Sequence, residues 1–114
     1  MNTALAVTCL DALASPVRLD IYRLLVRTGP DGLVAGEIAT TLALPANNTS
    51  FHLKTLSQAG LIAATPEGRF LRYRARMAAM TALVDFLTAE CCQGQPGLCG
   101  STATVPDCPR PATD

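Results

Sequence analysis

The sequence predicts a mainly α-helical domain with one β-hairpin, arranged as a winged helix-turn-helix. Three observations support this prediction: apolar stripes at helical spacing, a tight turn between two short predicted helices, and an arginine-rich hairpin directly after them. The chain has 114 residues, a length that fits one domain of ordinary size. We place this domain at residues 1–92 and predict a flexible, cysteine-containing tail at 93–114.

The first two predicted helices are separated by a strong start signal. Residues 2–14 are predicted to form the first helix, with Leu5, Leu10 and Leu13 among its apolar positions. Ser15 then has the character of an N-cap, with Pro16 at the first helical position, and Gly29 ends the second helix. The second helix has its predicted apolar stripe at Val17, Ile21, Leu24 and Leu25.

A short helix near residues 35–42 and a turn containing Pro45 precede a fourth helix. We expect this fourth helix to begin at Asn47 or Asn48 and to end at Ala59, before Gly60. Its predicted inward stripe is Thr49, Leu53 and Leu56. Two helices joined in this way are typical of a helix-turn-helix.

The hairpin is predicted from two candidate strands, LIAATP and RFLRYRAR, joined around Glu67 and Gly68. In the second strand Leu71, Tyr73 and Ala75 alternate with more polar positions, a pattern that predicts one buried face. Residues 78–91 are predicted to form the last helix. Its predicted apolar stripe is Met80, Leu83, Val84 and Leu87.

The charges are unevenly distributed along a chain whose formal net charge is zero. Basic residues dominate the stretch from Lys54 to Arg76, where Glu67 is the acid among them. A locally basic face on a neutral protein favours a specific DNA binder with little non-specific affinity.

Three segments, LDALASPVRLDIYRLL, GEIATTLALPANNTSFHLKTLSQAGLI and EGRFLRYRA, closely resemble the ArsR/SmtB family of metal-responsive repressors. The resemblance covers roughly residues 5–92. It implies a homodimer whose first and last helices pack across the two-fold axis. It also implies repression through a palindromic double-stranded operator, relieved when an inducer binds.

The resemblance makes the helix starting near Asn47 the recognition helix, with its N-terminal residues at base edges in the major groove. The candidates for base contact are Asn47, Asn48, Thr49, Ser50 and His52. Lys54 is expected to contact phosphate. The arginines of the wing are expected to contact phosphate or the adjacent minor groove; they are Arg69, Arg72 and Arg74. Three alternatives stay open: an N-cap role for the asparagines, a structural role for His52, and a merely solvated arginine face.

Five cysteines, an odd number, indicate metal or redox chemistry in a reducing cytoplasm. The candidate ligands are Cys91, Cys92 and Cys99, with Cys108 as a replacement or a fourth ligand. Three soft thiolates suit trivalent arsenic or antimony, whereas a fourth ligand would favour zinc or cadmium. The cluster resembles that of the arsenite-responsive branch of the family. Family sites built from His on the last helix, or from Cys-x-Cys before the turn, lack their residues here.

Other interpretations of the sequence remain. Cys9 is expected to be a small buried residue, with a cross-subunit ligand as the alternative. A disulfide or polysulfide sensor is the main rival mechanism, and a dimeric interaction module without an operator is the rival from another class. No Ser-His-Asp set, paired-carboxylate motif or phosphate loop suggests an enzyme, and no apolar run is long enough to span a membrane.

Overall fold

The computed structural model describes residues 1–90, which fold into five α-helices and a three-stranded antiparallel sheet. The helices are α1 (Thr3–Leu13), α2 (Pro16–Thr28), α3 (Ala35–Leu42), α4 (Ala46–Gln58) and α5 (Met77–Leu87). The strands are β1 (Leu33–Val34), β2 (Ile62–Glu67) and β3 (Phe70–Ala75). This order confirms the predicted mainly helical winged helix-turn-helix. Over the same residues, no helix has the length and apolarity needed to cross a membrane.

The start and end of α2 follow the predicted signals. The Ser15 side chain accepts a hydrogen bond from the Arg18 backbone N–H at 3.4 Å, and Pro16 is the first helical residue. Gly29 ends the helix with a φ of 74°, a value that glycine adopts without the strain that a Cβ would add. The start and the end of α2 are therefore set by local cap chemistry.

The turn between α3 and α4 is closed by backbone bonds. Ala43 has a left-handed φ of 55°, and the Leu44 N–H donates to the Ala39 carbonyl at 2.9 Å. The predicted start of α4 at an asparagine is wrong, because the helix begins at Ala46. Pro45 is the N-cap: its ring holds φ at −62°, and its carbonyl is free to accept the first helical hydrogen bond.

The core forms where α2, α3, α4 and the start of β2 meet. Its fully buried large side chains are Ile21, Leu25, Ile38, Leu53, Leu56, Leu61 and Ile62. The predicted inward stripes of α2 and α4 are thus confirmed. Cys9 is buried as expected, at 3% exposure, and its Sγ donates to the Ala59 carbonyl at 3.7 Å. Helix α1 is therefore fixed to the end of α4.

The hairpin joins β2 to β3 with Glu67 opposite Phe70, and Gly68 takes a φ of 62° in the turn. Its buried face is shorter than predicted. Tyr73 packs against the core, but Leu71 is 45% exposed because the outer half of the hairpin extends beyond the helices. The sequence did not predict β1, which pairs with the outer edge of β3.

The last helix ends earlier than predicted. Helix α5 stops at Leu87, and Thr88 closes it by donating its hydroxyl hydrogen to the Val84 carbonyl at 2.9 Å. Along its stripe, Leu83 is buried and Met80 packs against the core. Val84 and Leu87 are exposed. One face of α5 therefore remains uncovered within a single chain.

Candidate nucleic-acid interface

Helix α4 presents a polar face to solvent. Its buried stripe of Thr49, Leu53 and Leu56 faces the core. A helix turns by about 100° per residue, so the opposite face is centred near position 51. The exposed side chains of this helix that the sequence predicted as DNA contacts are Asn47, Asn48, Ser50 and Lys54.

In the first turn of α4, two of the predicted contact residues have partners inside the protein. Thr49 is 1% exposed, and its hydroxyl donates to the Pro45 carbonyl at 2.9 Å, so the structure assigns it to the core rather than to the outward face. Asn47 Oδ1 accepts from the Asn48 N–H at 2.9 Å and so satisfies one free donor of the helix start. Asn48 and Ser50 lie at the exposed helix start, where a recognition helix contacts bases.

His52 is held by an arginine from another helix. Arg18 Nη1 lies 3.3 Å from His52 Nδ1, and Arg18 Nε donates to the Ala12 carbonyl at 2.6 Å. A guanidinium can only donate, so Nδ1 must accept and the neutral ring carries its proton on Nε2. Partial burial, followed by the positive charge of Arg18, lowers the pKa of His52. Both effects favour the neutral ring of His52, whose Nε2–H can donate.

The wing arginines fall into two groups. Arg72 donates to Glu67 Oε2 at 2.7 Å and to the carbonyls of Asp31 and Gly32 at 3.2 Å each. Arg74 donates to the Pro30 carbonyl at 2.8 Å. Both guanidiniums therefore fix the base of the wing to the loop after α2.

Arg69 is placed differently, because it lies in the turn between β2 and β3. Its side chain is exposed, and no hydrogen bond holds it among residues 1–90. Of the three predicted wing contacts, Arg69 is the one that lies in the hairpin turn itself. It is the wing residue best placed to approach DNA.

Two residues at this interface were not predicted from the sequence. Arg18 is 34 positions from His52 along the chain, and no local pattern links them. Phe51 is 63% exposed in the middle of the outward face of α4. The buried stripe of α4 carried enough information to place Phe51 on that face.

The four candidate thiolate ligands, Cys91, Cys92, Cys99 and Cys108, lie outside the described residues. Within residues 1–90, no three His, Cys, Asp or Glu side chains form a group that could hold a metal ion.

A model of a helix-turn-helix domain family matches residues 13–64. These residues include α2, the turn and α4. No curated protein sequence matches the chain.

Several solved structures are similar over nearly their whole length. HlyU from Vibrio cholerae is 31% identical, with a TM-score of 0.63 over 81% of this chain and 97% of HlyU. A homodimeric winged helix-turn-helix DNA-binding domain from Mycobacterium bovis, described as a possible ArsR-family regulator, is 27% identical. Its TM-score is 0.62 over 81% of this chain and 85% of the M. bovis domain. An ArsR-like regulator from a Rhodococcus species shares the fold. It is 24% identical, with a TM-score of 0.68 over 90% of this chain and 96% of the Rhodococcus protein.

The fold and the exposed helix start define a winged helix-turn-helix transcriptional regulator. The 31% sequence identity to HlyU and the similarity to the M. bovis domain indicate one family within this class of regulators. The chain belongs to the ArsR/SmtB family of DNA-binding transcriptional regulators.

Proposed function

We propose that the protein is a homodimeric repressor that binds operator DNA through α4 and the wing. The observation that carries this proposal is the outward face of α4, which presents Asn48, Ser50 and Lys54 at and beyond the helix start. Such a helix start fits the major groove, where amides and hydroxyls contact base edges. Arg69 would approach the neighbouring backbone or minor groove.

The dimer is proposed from uncovered apolar surface on α1 and α5, which lie against each other. On α5, Val84 and Leu87 are 49% and 55% exposed. On α1, Leu5, Val7 and Leu10 are also exposed. Large exposed apolar side chains on two adjoining helices favour burial against a second copy. The similar M. bovis domain is homodimeric. Two copies would present two α4 helices to a palindromic operator, with half-sites about one DNA turn apart.

The proposed inducer is trivalent arsenic or antimony, bound by Cys91, Cys92 and Cys99, with Cys108 as an alternative or additional ligand. The support is the chemistry of the donor set, since three thiolates satisfy a pyramidal As(III) or Sb(III). The cysteine pair follows Glu90 directly, and α5 has already ended at Leu87. Binding there would change the end of a proposed dimer helix and hence the spacing of the two α4 helices.

The experiment begins with DNA selected from a random duplex library by the reduced, full-length protein. Arsenite and antimonite are then titrated onto the selected protein–DNA complex while fluorescence anisotropy follows DNA release. Wild-type protein should release the duplex with one of these ions. Protein carrying Cys91→Ser and Cys92→Ser should bind DNA with unchanged affinity and fail to respond. If neither ion lowers the DNA affinity of the wild type, the metalloid proposal is wrong.

A thiol-redox or sulfur sensor is the second candidate function. The observation that favours it is the similarity to HlyU, one structure of which, 29% identical to this chain, is of the reduced protein. Peroxide would then release DNA by forming a disulfide, with two thiols losing two electrons and two protons to the peroxide. Thiol labelling after peroxide, with and without arsenite, separates this mechanism from metalloid binding. Titration with Cd(II) and Zn(II) tests the remaining alternative of a four-ligand metal sensor.

A further inference from the structure

Phe51 is an exposed aromatic residue at a position where the fold does not need one. It is 63% exposed, and its neighbours Thr49 and Leu53 point in the opposite direction into the core. Its closest aromatic partner is His52, whose ring centroid lies 5.5 Å away at an interplanar angle of 67°. This edge contact leaves the other side of the Phe51 ring open to solvent.

The side chains around Phe51 indicate what could cover it. Residues three and four positions away share its helix face, so Asn47 and Asn48 lie on one side and Lys54 on the other. An asparagine amide matches the N6 and N7 atoms of adenine in the major groove. An apolar group on the same helix face matches the one apolar feature of that groove, the 5-methyl of thymine.

We infer that Phe51 reads thymine methyl groups in the major groove and so biases the operator toward A·T pairs beside the Asn48 contact. This inference rests on the proposed insertion of α4 into DNA. A phenyl ring cannot hydrogen-bond to a base edge or pair with a phosphate, so its contribution to binding must come from apolar contact. Lys54 lies one helical turn further on and is suited to the flanking phosphate.

The test uses the duplex selected by the wild-type protein, resynthesised with deoxyuridine in place of individual thymines. This replacement removes one methyl group and leaves every hydrogen-bonding atom of the base pair. We expect about a fourfold loss of wild-type affinity for each contacted methyl, the effect of one buried methyl-sized group. In a two-fold symmetric site, replacement in both half-sites should multiply the loss to roughly fifteenfold.

The decisive comparison is between wild type and Phe51→Ala. The variant should bind the thymine duplex at least about fourfold more weakly, and it should bind thymine and deoxyuridine duplexes equally well. Phe70→Ala is the matched control, because Phe70 is also 63% exposed but lies on the wing, away from α4. The Phe70→Ala variant should keep the full methyl dependence. Circular dichroism of both variants checks that the fold is intact.

The possible outcomes separate this inference from the proposed function. If wild-type protein enriches a sequence and its affinity ignores the methyl groups, the Phe51 inference is overturned while operator binding stands. The same holds if Phe51→Ala retains the methyl dependence of the wild type. If wild-type protein enriches no sequence at all, operator binding itself fails and the inference fails with it.

Discussion

Arg18 Nη1 lies 3.3 Å from His52 Nδ1, so a residue of α2 fixes the protonation pattern of a residue on α4. The same guanidinium bonds the Ala12 carbonyl of α1. A shift of α1, which belongs to the proposed dimer interface, would therefore reach His52 through one side chain. Two distant sites can be coupled in this way when the contacts between them are continuous and can adopt two arrangements.

The pKa of His52 should lie below the ordinary histidine value of about 6.5. His52 is the only histidine in the chain, so its imidazole signal in an NMR pH titration is unambiguous. The Arg18→Met variant removes the positive charge and should raise the pKa towards the ordinary value. An unchanged pKa in that variant would contradict a role for Arg18 in holding the ring neutral.

The same pKa shift predicts how stability depends on pH. Between the lowered folded pKa and about 6.5, the unfolded chain binds more protons at His52 than the folded protein does. The contribution of His52 to the free energy of unfolding is therefore complete above about pH 6.5 and is lost as the pH falls through the folded pKa. Urea titrations of wild type and His52→Gln at several pH values should show a smaller acid-side loss in the variant.

Gly32→Ala should destabilise the protein by about 3 kcal/mol or more. Gly32 has a φ of 63°, and a Cβ there would lie 2.6 Å from the Tyr73 carbonyl oxygen. Gly29→Ala is the matched control, because it has a φ of 74° but nothing within 4 Å of the added Cβ. It should cost about 1–3 kcal/mol, the backbone effect alone. Equal losses of unfolding free energy in the two variants would disprove the steric clash.

Arg69→Ala should weaken DNA binding without changing stability, whereas Arg72→Ala should lower stability. Arg69 is exposed at the hairpin turn, so its loss should weaken DNA binding and reduce the slope of log affinity against log salt by about 1. Stability should not change. Arg72 holds Glu67 and two loop carbonyls, so its loss should lower the unfolding free energy. The reverse pattern would show that Arg72 binds phosphate instead.

Replacing both Val84 and Leu87 by Glu should convert the proposed dimer to a folded monomer. Both side chains are exposed on α5 in the single chain, so the substitution spares the core. Burying the new charges in an interface would cost several kcal/mol, or at least about a hundredfold in the dimer dissociation constant. Sedimentation velocity measures the mass. Leu83→Ala, at a buried position, should instead cost about 2–5 kcal/mol of stability. A double variant that stays dimeric would place the interface elsewhere.

The elements predicted correctly from the sequence are those governed by local chemistry. Ser15 and Pro16 specify the start of α2, and Gly68 specifies the hairpin turn. The β1 strand was missed because two residues carry no periodicity and depend on pairing with β3. The alternation along β3 placed Leu71 on the buried face of the strand. Leu71 is nevertheless exposed, because alternation does not indicate how far the core extends beneath that face.

The sequence predicted which face of α4 is exposed, but it did not predict the contacts of individual wing arginines. Helical spacing placed the outward face of α4 correctly, but Arg72 and Arg74 were expected to face DNA. Their guanidiniums bond carbonyls in the loop after α2, which lies 40 to 44 positions away, and spacing along the chain cannot reveal such contacts. The sensor cysteines and their ligand stay predictions from residue chemistry alone.

The carbonyl partners of Arg72 and Arg74 have a consequence for how the regulator finds its operator. Non-specific DNA affinity comes from cations facing phosphates, and these two guanidiniums, though still charged, donate to carbonyls of the protein itself in a chain of zero net charge. Random DNA would then hold the protein only briefly, and one-dimensional sliding would cover little of the genome. For the proposed repressor, the time needed to restore repression after the proposed inducer disappears would be set mainly by the concentration of free dimer.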